Sequence, residues 1–114
     1  MAWDERVAQR IREALGPLAA ETVEKTMFGG LCFMVRGLML GGASGAAMGG
    51  GALMRVGPRA EAEALALPGV SPMTMRGRPM SGFVKLTPEA AADPERLRPL
   101  VAMAAAFVAG LPPK

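Results

Sequence analysis

From Asp4 onward the apolar positions recur every four residues. Val7, Ile11 and Leu15, flanked by Ala8, Ala14 and Leu18, form one stripe, and Arg6, Arg10, Arg12 and Glu13 fall mostly off it. This period predicts an amphipathic helix from Asp4, its N-cap, to about Leu15, stopped by Gly16-Pro17. The pattern then shortens. Thr22-Val23-Glu24-Lys25-Thr26-Met27 is rich in β-branched residues and predicts a first strand, interrupted at Phe28-Gly29-Gly30. Leu31-Cys32-Phe33-Met34-Val35 predicts a second strand, Arg36-Gly37 a tight turn, and Leu38-Met39-Leu40 a third strand. Residues 41–51 read as a flexible glycine-rich loop before a fourth strand, Ala52-Leu53-Met54-Arg55-Val56.

Gly57-Pro58 opens a helix through Glu61, Glu63 and Leu65, and Pro68-Gly69 ends that region. Residues 70–79, punctuated by Pro72 and Pro79, match neither period. Gly82-Phe83-Val84-Lys85-Leu86 predicts the last strand. Thr87-Pro88-Glu89 and Asp93-Pro94-Glu95 each combine a side-chain cap, a first-turn proline and an acid, and predict helix starts. The final helix presents Leu97, Leu100, Val101, Ala104, Phe107, Val108 and Leu111, and ends at Gly110 and Pro112-Pro113. Pro99 demands either a start near Arg98 or a kink. The expectation is an α+β fold: an antiparallel sheet of about five strands with helices packed on it, in the order α-β-β-β-β-α-β-α. No internal repeat is visible.

Composition narrows the function. With 114 residues the chain matches one domain, and 51% apolar and 20% charged residues describe a globular protein. Cys32 is the single cysteine, which excludes an internal disulfide and suits a reducing compartment. The N-terminus is charged from Asp4 and does not resemble a secretory leader. The apolar run at residues 38–54 is too glycine-rich to span a membrane as a helix. The expected location is therefore the cytoplasm, with no membrane partner. Histidine and tyrosine are absent, which removes the commonest general base and metal ligand. Asp4 and Asp93 are accounted for as caps, and Glu61 and Glu63 do not face one another on a helix. No catalytic, cofactor-binding or metal-binding residue is expected, and the chain reads as a non-enzyme.

Cys32, among Leu31, Phe33 and Met34, reads as inert core filler. The glycine loop lacks the Lys-Ser/Thr that ends a phosphate-binding loop. Met27, Met34, Met39 and Met54 read as mostly core, with exposed methionine suiting an adaptable interface. The net charge of +3 is unevenly placed. Acids occupy residues 4–24, 61–63 and 89–95, and the stretches between are purely basic. Arg36, Arg55, Arg78 and Lys85 lie on or beside strands, and on one face they would form a cationic interaction surface. Aromatic residues at 4% argue against stacking of single-stranded bases.

At Met27-Phe28-Gly29-Gly30, Leu53-Met54-Arg55-Val56, Gly77-Arg78-Pro79-Met80-Ser81-Gly82-Phe83-Val84 and Leu111-Pro112-Pro113-Lys114, the chain resembles the N-terminal domain of the TfoX competence-regulator family. The order and spacing of these segments match over nearly the whole length. The resemblance implies a secretion-chaperone-like α+β fold compatible with dimerisation, and a stand-alone N-terminal domain without the second, C-terminal domain of full-length relatives. The motif residues Met27, Phe28, Gly29, Gly30, Arg55, Arg78, Pro79, Met80 and Gly82 read as structural. The expected function is a non-enzymatic regulatory or protein-interaction module with a protein partner and a homodimeric state. The alternatives are a nucleic-acid-associated factor using the basic surface, and a small-ligand or catalytic protein using a pocket near Phe28-Gly29-Gly30.

Overall fold

A computed structural model describes residues 2–113. Helix α1 spans Glu5–Leu15, with the Asp4 carboxylate accepting from the Arg6 N–H at 2.9 Å and Gly16 ending it at φ 57°. A 3-10 segment, Gly16–Glu21, leads into β1 (Thr22–Met27), β2 (Gly30–Val35) and β3 (Leu38–Ala43). A short 3-10 turn at Ala46–Met48 precedes β4 (Ala52–Arg55) and α2 (Glu61–Leu65). Strands β5 (Val70–Met75) and β6 (Arg78–Leu86) follow, then α3 (Pro88–Ala91) and α4 (Pro94–Ala109). The strands form one antiparallel sheet in the order β1-β2-β3-β4-β6-β5, which makes the fold α+β.

Turn chemistry sets the register. Phe28-Gly29, Arg36-Gly37 and Arg76-Gly77 each place two consecutive residues at positive φ, between 52° and 80°. That is the turn whose twist matches two-residue hairpins. Glycine takes the second position without cost, and each non-glycine first residue costs about 1 kcal/mol. The segment Phe28-Gly29-Gly30 is thus a hairpin turn followed by the first residue of β2.

The sheet has six strands rather than about five, because residues 70–75 form β5 and β6 starts at Arg78. Both prolines that obscured this pattern occupy sheet edges. Pro72 lies on the edge strand β5, and Pro79 lies in the part of β6 beyond the reach of β4, which pairs only with Phe83 through Leu86. An edge position has no ladder hydrogen bond for proline to remove. Pro99 sits on the exposed side of α4, and the helix runs through it from Pro94.

The expected flexible loop at residues 41–51 is also corrected. Gly41, Gly42, Gly45 and Gly51 are buried, and the first two belong to β3. At Gly42 a Cβ would lie 2.1 Å from the Leu31 carbonyl oxygen, so only glycine lets β2 and β3 approach this closely. Gly30, Gly41, Gly45 and Gly51 are likewise placed where a Cβ would strike neighbouring backbone.

All four helices pack on one face of the sheet. Val7, Ile11 and Leu15 of α1 and Leu97, Leu100, Val101, Ala104 and Val108 of α4 meet Leu31, Phe33, Val35, Leu38, Leu40, Ala52, Met54, Val84 and Leu86. Arg12 pins α1 to the sheet. It donates to Glu24 of β1 at 2.6 and 2.8 Å and to Glu5 at 2.6 Å, and its guanidinium lies 6.0 Å from the Phe33 ring centroid. Glu24 therefore faces the helices. Side chains alternate along a strand, so Val23, Lys25 and Met27 face the other way.

Gly42→Ala is expected to destabilise the fold by about 3 kcal/mol or more, read as a lowered urea midpoint. Ala47→Gly, in an exposed turn, is expected to change stability by no more than about 0.5 kcal/mol. A Gly42→Ala protein as stable as the parent would show that this segment is loose.

Candidate functional site

The sheet face away from the helices is the distinctive surface. It carries an apolar cleft of about 150 Å³ to which every strand contributes. Met27 comes from β1, Cys32 from β2, Met39 from β3, Leu53 from β4, Met73 and Met75 from β5, and Met80 and Phe83 from β6. Met48 and the turn residue Phe28 complete the wall, and Ser44 is its single polar side chain. Cys32 and Met73 are both buried at 5% exposure yet lie outside the core cluster. Phe28, at 59% exposed, stands at the rim.

Two sequence expectations change here. Of Met27, Met34, Met39 and Met54, only Met54 belongs to the core under the helices. Met34 lies opposite Val23 on the uncovered face, and Met27 and Met39 line the cleft. Cys32 is buried as expected, but as cleft wall and not as core filler. The six thioethers of the wall are flexible and polarizable, so the surface can reshape around an apolar guest.

Cross-strand pairing shows where the cations lie, since directly opposed residues share a face. Lys25 opposes Cys32, Lys85 opposes Leu53, Arg55 opposes Phe83, and Arg78 opposes Met75. Each of these four neighbours lines the cleft. Of the expected set, Arg55, Arg78 and Lys85 therefore share one face. Arg36 does not join them: at φ 52° in its hairpin turn it reaches the Val108 carbonyl at the end of α4, 3.1 Å away. Lys25 was missed because β1 reads equally well with either face buried, and its side is decided by the ladder with β2, where Glu24 opposes the core residue Phe33 and Lys25 opposes Cys32.

These cations differ in freedom. Arg55 lies 5.6 Å from the Phe83 ring centroid and 5.4 Å from that of Phe107, and reaches the Met39 carbonyl at 3.4 Å. Phe107 itself covers Gly57, where a Cβ would meet the ring at 2.3 Å. Gly57 in turn donates to the Gly82 carbonyl at 2.9 Å. The motif residues Arg55 and Gly82 thus belong to one packed junction between sheet and α4. Lys85 donates to the Met48 carbonyl at 2.6 Å. Lys25 and Arg78 are exposed.

The ion pairs among the described residues are Arg6–Asp4, Arg12–Glu5, Arg12–Glu24 and Arg96–Asp93, none of which uses a cleft-face cation. Glu24, the sole acid within a strand, faces α1. The chemistry of the site is an adaptable apolar trough under uncompensated positive charge. Among the described residues no cluster of three or more Cys, Asp or Glu side chains could hold a metal ion.

Burial raises the Cys32 thiol pKa above its ordinary value. The thiol thus contributes stability that is full below the unfolded pKa of about 8.5 and is lost as pH rises through the folded value. At pH 8 the native thiol is expected to alkylate at least about tenfold more slowly than in denaturant. Equal rates would show that the cleft floor is open to solvent.

Among the described residues no helix is long and apolar enough to cross a membrane. Comparison with curated proteins and with solved structures yields no match. The family model for the TfoX N-terminal domain matches residues 13–108, from within α1 to the last turn of α4. That span takes in the cleft, the Arg55 junction and most of the core beneath them, and the chain belongs to the TfoX N-terminal domain family.

Proposed function

We propose that this chain is a non-enzymatic regulatory module of the cytoplasm that acts by binding another protein through the methionine-lined cleft. The supporting observation is the unequal treatment of the two sheet faces. One is sealed by helices, and the other exposes a preformed apolar trough built from all six strands. Family membership supports a TfoX-like regulatory role. Chemistry on a substrate would need an acid, base or nucleophile in the cleft. Its one ionisable wall residue is Cys32, whose burial disfavours the thiolate.

A photo-crosslinking residue at Met75, on the cleft wall, is expected to trap a discrete protein adduct in cells. The same residue at Arg98, on the exposed side of α4, is expected to trap none. Adducts of equal yield from both positions, or none from Met75, would reject the cleft as the interaction surface.

Self-association belongs to the same reading. Val23 and Phe28, the two large apolar residues most exposed among those described, both lie along the β1 edge, and β1 has an unpaired side. Light scattering is expected to show a dimer that Val23→Glu converts to monomer. A parent protein that stays monomeric at millimolar concentration would remove the homodimer while leaving the cleft unaffected.

A further inference from the structure

Resting on the reading of the cleft as a protein-binding surface, the geometry points to the partner's chemistry. We infer that the cleft takes an acidic peptide segment that inserts one large apolar side chain, phenylalanine or leucine, between flanking carboxylates. Three observations converge on this occupant: the size of the cleft, the sign of the charge around it, and the spread of that charge across the sheet.

The cleft volume of about 150 Å³ sets the anchor. A cavity of about that size, lined by apolar side chains, accepts a benzene-sized guest. One aromatic or branched aliphatic side chain fills it, which is how a buried hot-spot residue anchors a protein interface. Methionine walls accommodate either shape.

Charge sets the flanks. Lys25, Arg55, Arg78 and Lys85 each oppose a cleft-lining residue across the ladder, and no acid on any strand shares their face. Lys25 and Arg78 are exposed and outside every ion pair among the described residues, so their charge is available to a partner. A basic or neutral segment would leave this field unanswered. An acidic one gains both steering and register from it.

The spread of charge selects a peptide over a small amphiphile. Lys25 on β1 stands level with Lys85 on β6, through Cys32, Gly42 and Leu53, four strand spacings or about 19 Å across the sheet, and Arg78 lies further along β6. A fatty acid carries one carboxylate and cannot answer cations at both ends. About 13 helical residues or 6 extended ones cover that distance. Duplex nucleic acid would answer the charge but has no apolar group to fill the trough.

The test uses Cys32 as a reporter of occupancy, since it is the sole thiol and forms part of the cleft wall. Alkylation of the full chain is followed by mass spectrometry with five added probes. These are a 13-residue peptide with a central Phe flanked by Glu, its Phe→Ala version, its Glu→Lys version, dodecanoate and duplex DNA. The acidic Phe peptide is expected to slow alkylation, and its Ala and Lys versions are expected to need at least about tenfold higher concentration. In the Lys25→Glu/Arg78→Glu protein, where both changes are at exposed sites, protection by the acidic peptide is expected to fall about tenfold, and the Glu→Lys peptide is expected to gain. Circular dichroism confirms that the variant is folded. If the Glu and Lys peptides protect equally, or only dodecanoate or DNA protects, the inference is overturned. A protein adduct trapped from Met75 would still stand in that case, so the failure of this inference and the failure of the binding reading are separable.

Discussion

A single sheet with two apolar faces and helices for only one of them is the constraint behind the rest of this structure. Alternation along each strand sends neighbouring side chains to opposite faces, so the order of residues in β2, with Leu31, Phe33 and Val35 against Cys32 and Met34, builds two apolar surfaces at once. Helices α1 and α4 bury the first. The second is made mostly of methionine and closes on itself only in part, with Cys32 and Met73 buried and the rest of the wall open to a guest.

The charge follows from the same alternation. Arg12 captures Glu24 and draws the one strand acid to the helical side, where it also meets Glu5. Both carboxylates are held below the usual carboxylate range by hydrogen bonds from that guanidinium. The opposite face keeps Lys25, Arg55, Arg78 and Lys85. One side-chain network thus ties α1 to the strand whose register turns its only acid away from the uncovered face. Arg55 links the two layers by lying beside both Phe83 of the cleft and Phe107 of α4.

Prolines and glycines, usually read as interruptions, are in this chain parts of the sheet. Pro72 and Pro79 sit where a ladder hydrogen bond is not needed, and Gly42 sits where a side chain would strike the neighbouring strand. The long β5–β6 hairpin they allow reaches past β4 and supplies Met73, Met75 and Met80 to the cleft. Without that hairpin the methionine surface would lose one wall.

The sequence by itself determined what depends on near neighbours: the four-residue stripe of α1, the caps at Asp4, Thr87 and Asp93, the turn at Arg36-Gly37, and the family membership. It also showed that acids and bases are segregated along the chain. Tertiary structure decided what depends on which face a strand buries. Residues 22–27 alternate without favouring either side, so the placement of Lys25 on the cleft waited on the pairing with β2, which sets Glu24 against the core residue Phe33 and Lys25 against Cys32. Arg36 left the expected cationic set because its turn lies beside the end of α4, distant in sequence. The cleft, whose walls come from all six strands, could not be read from any local pattern. It exists only where the long-range ladder brings those residues together.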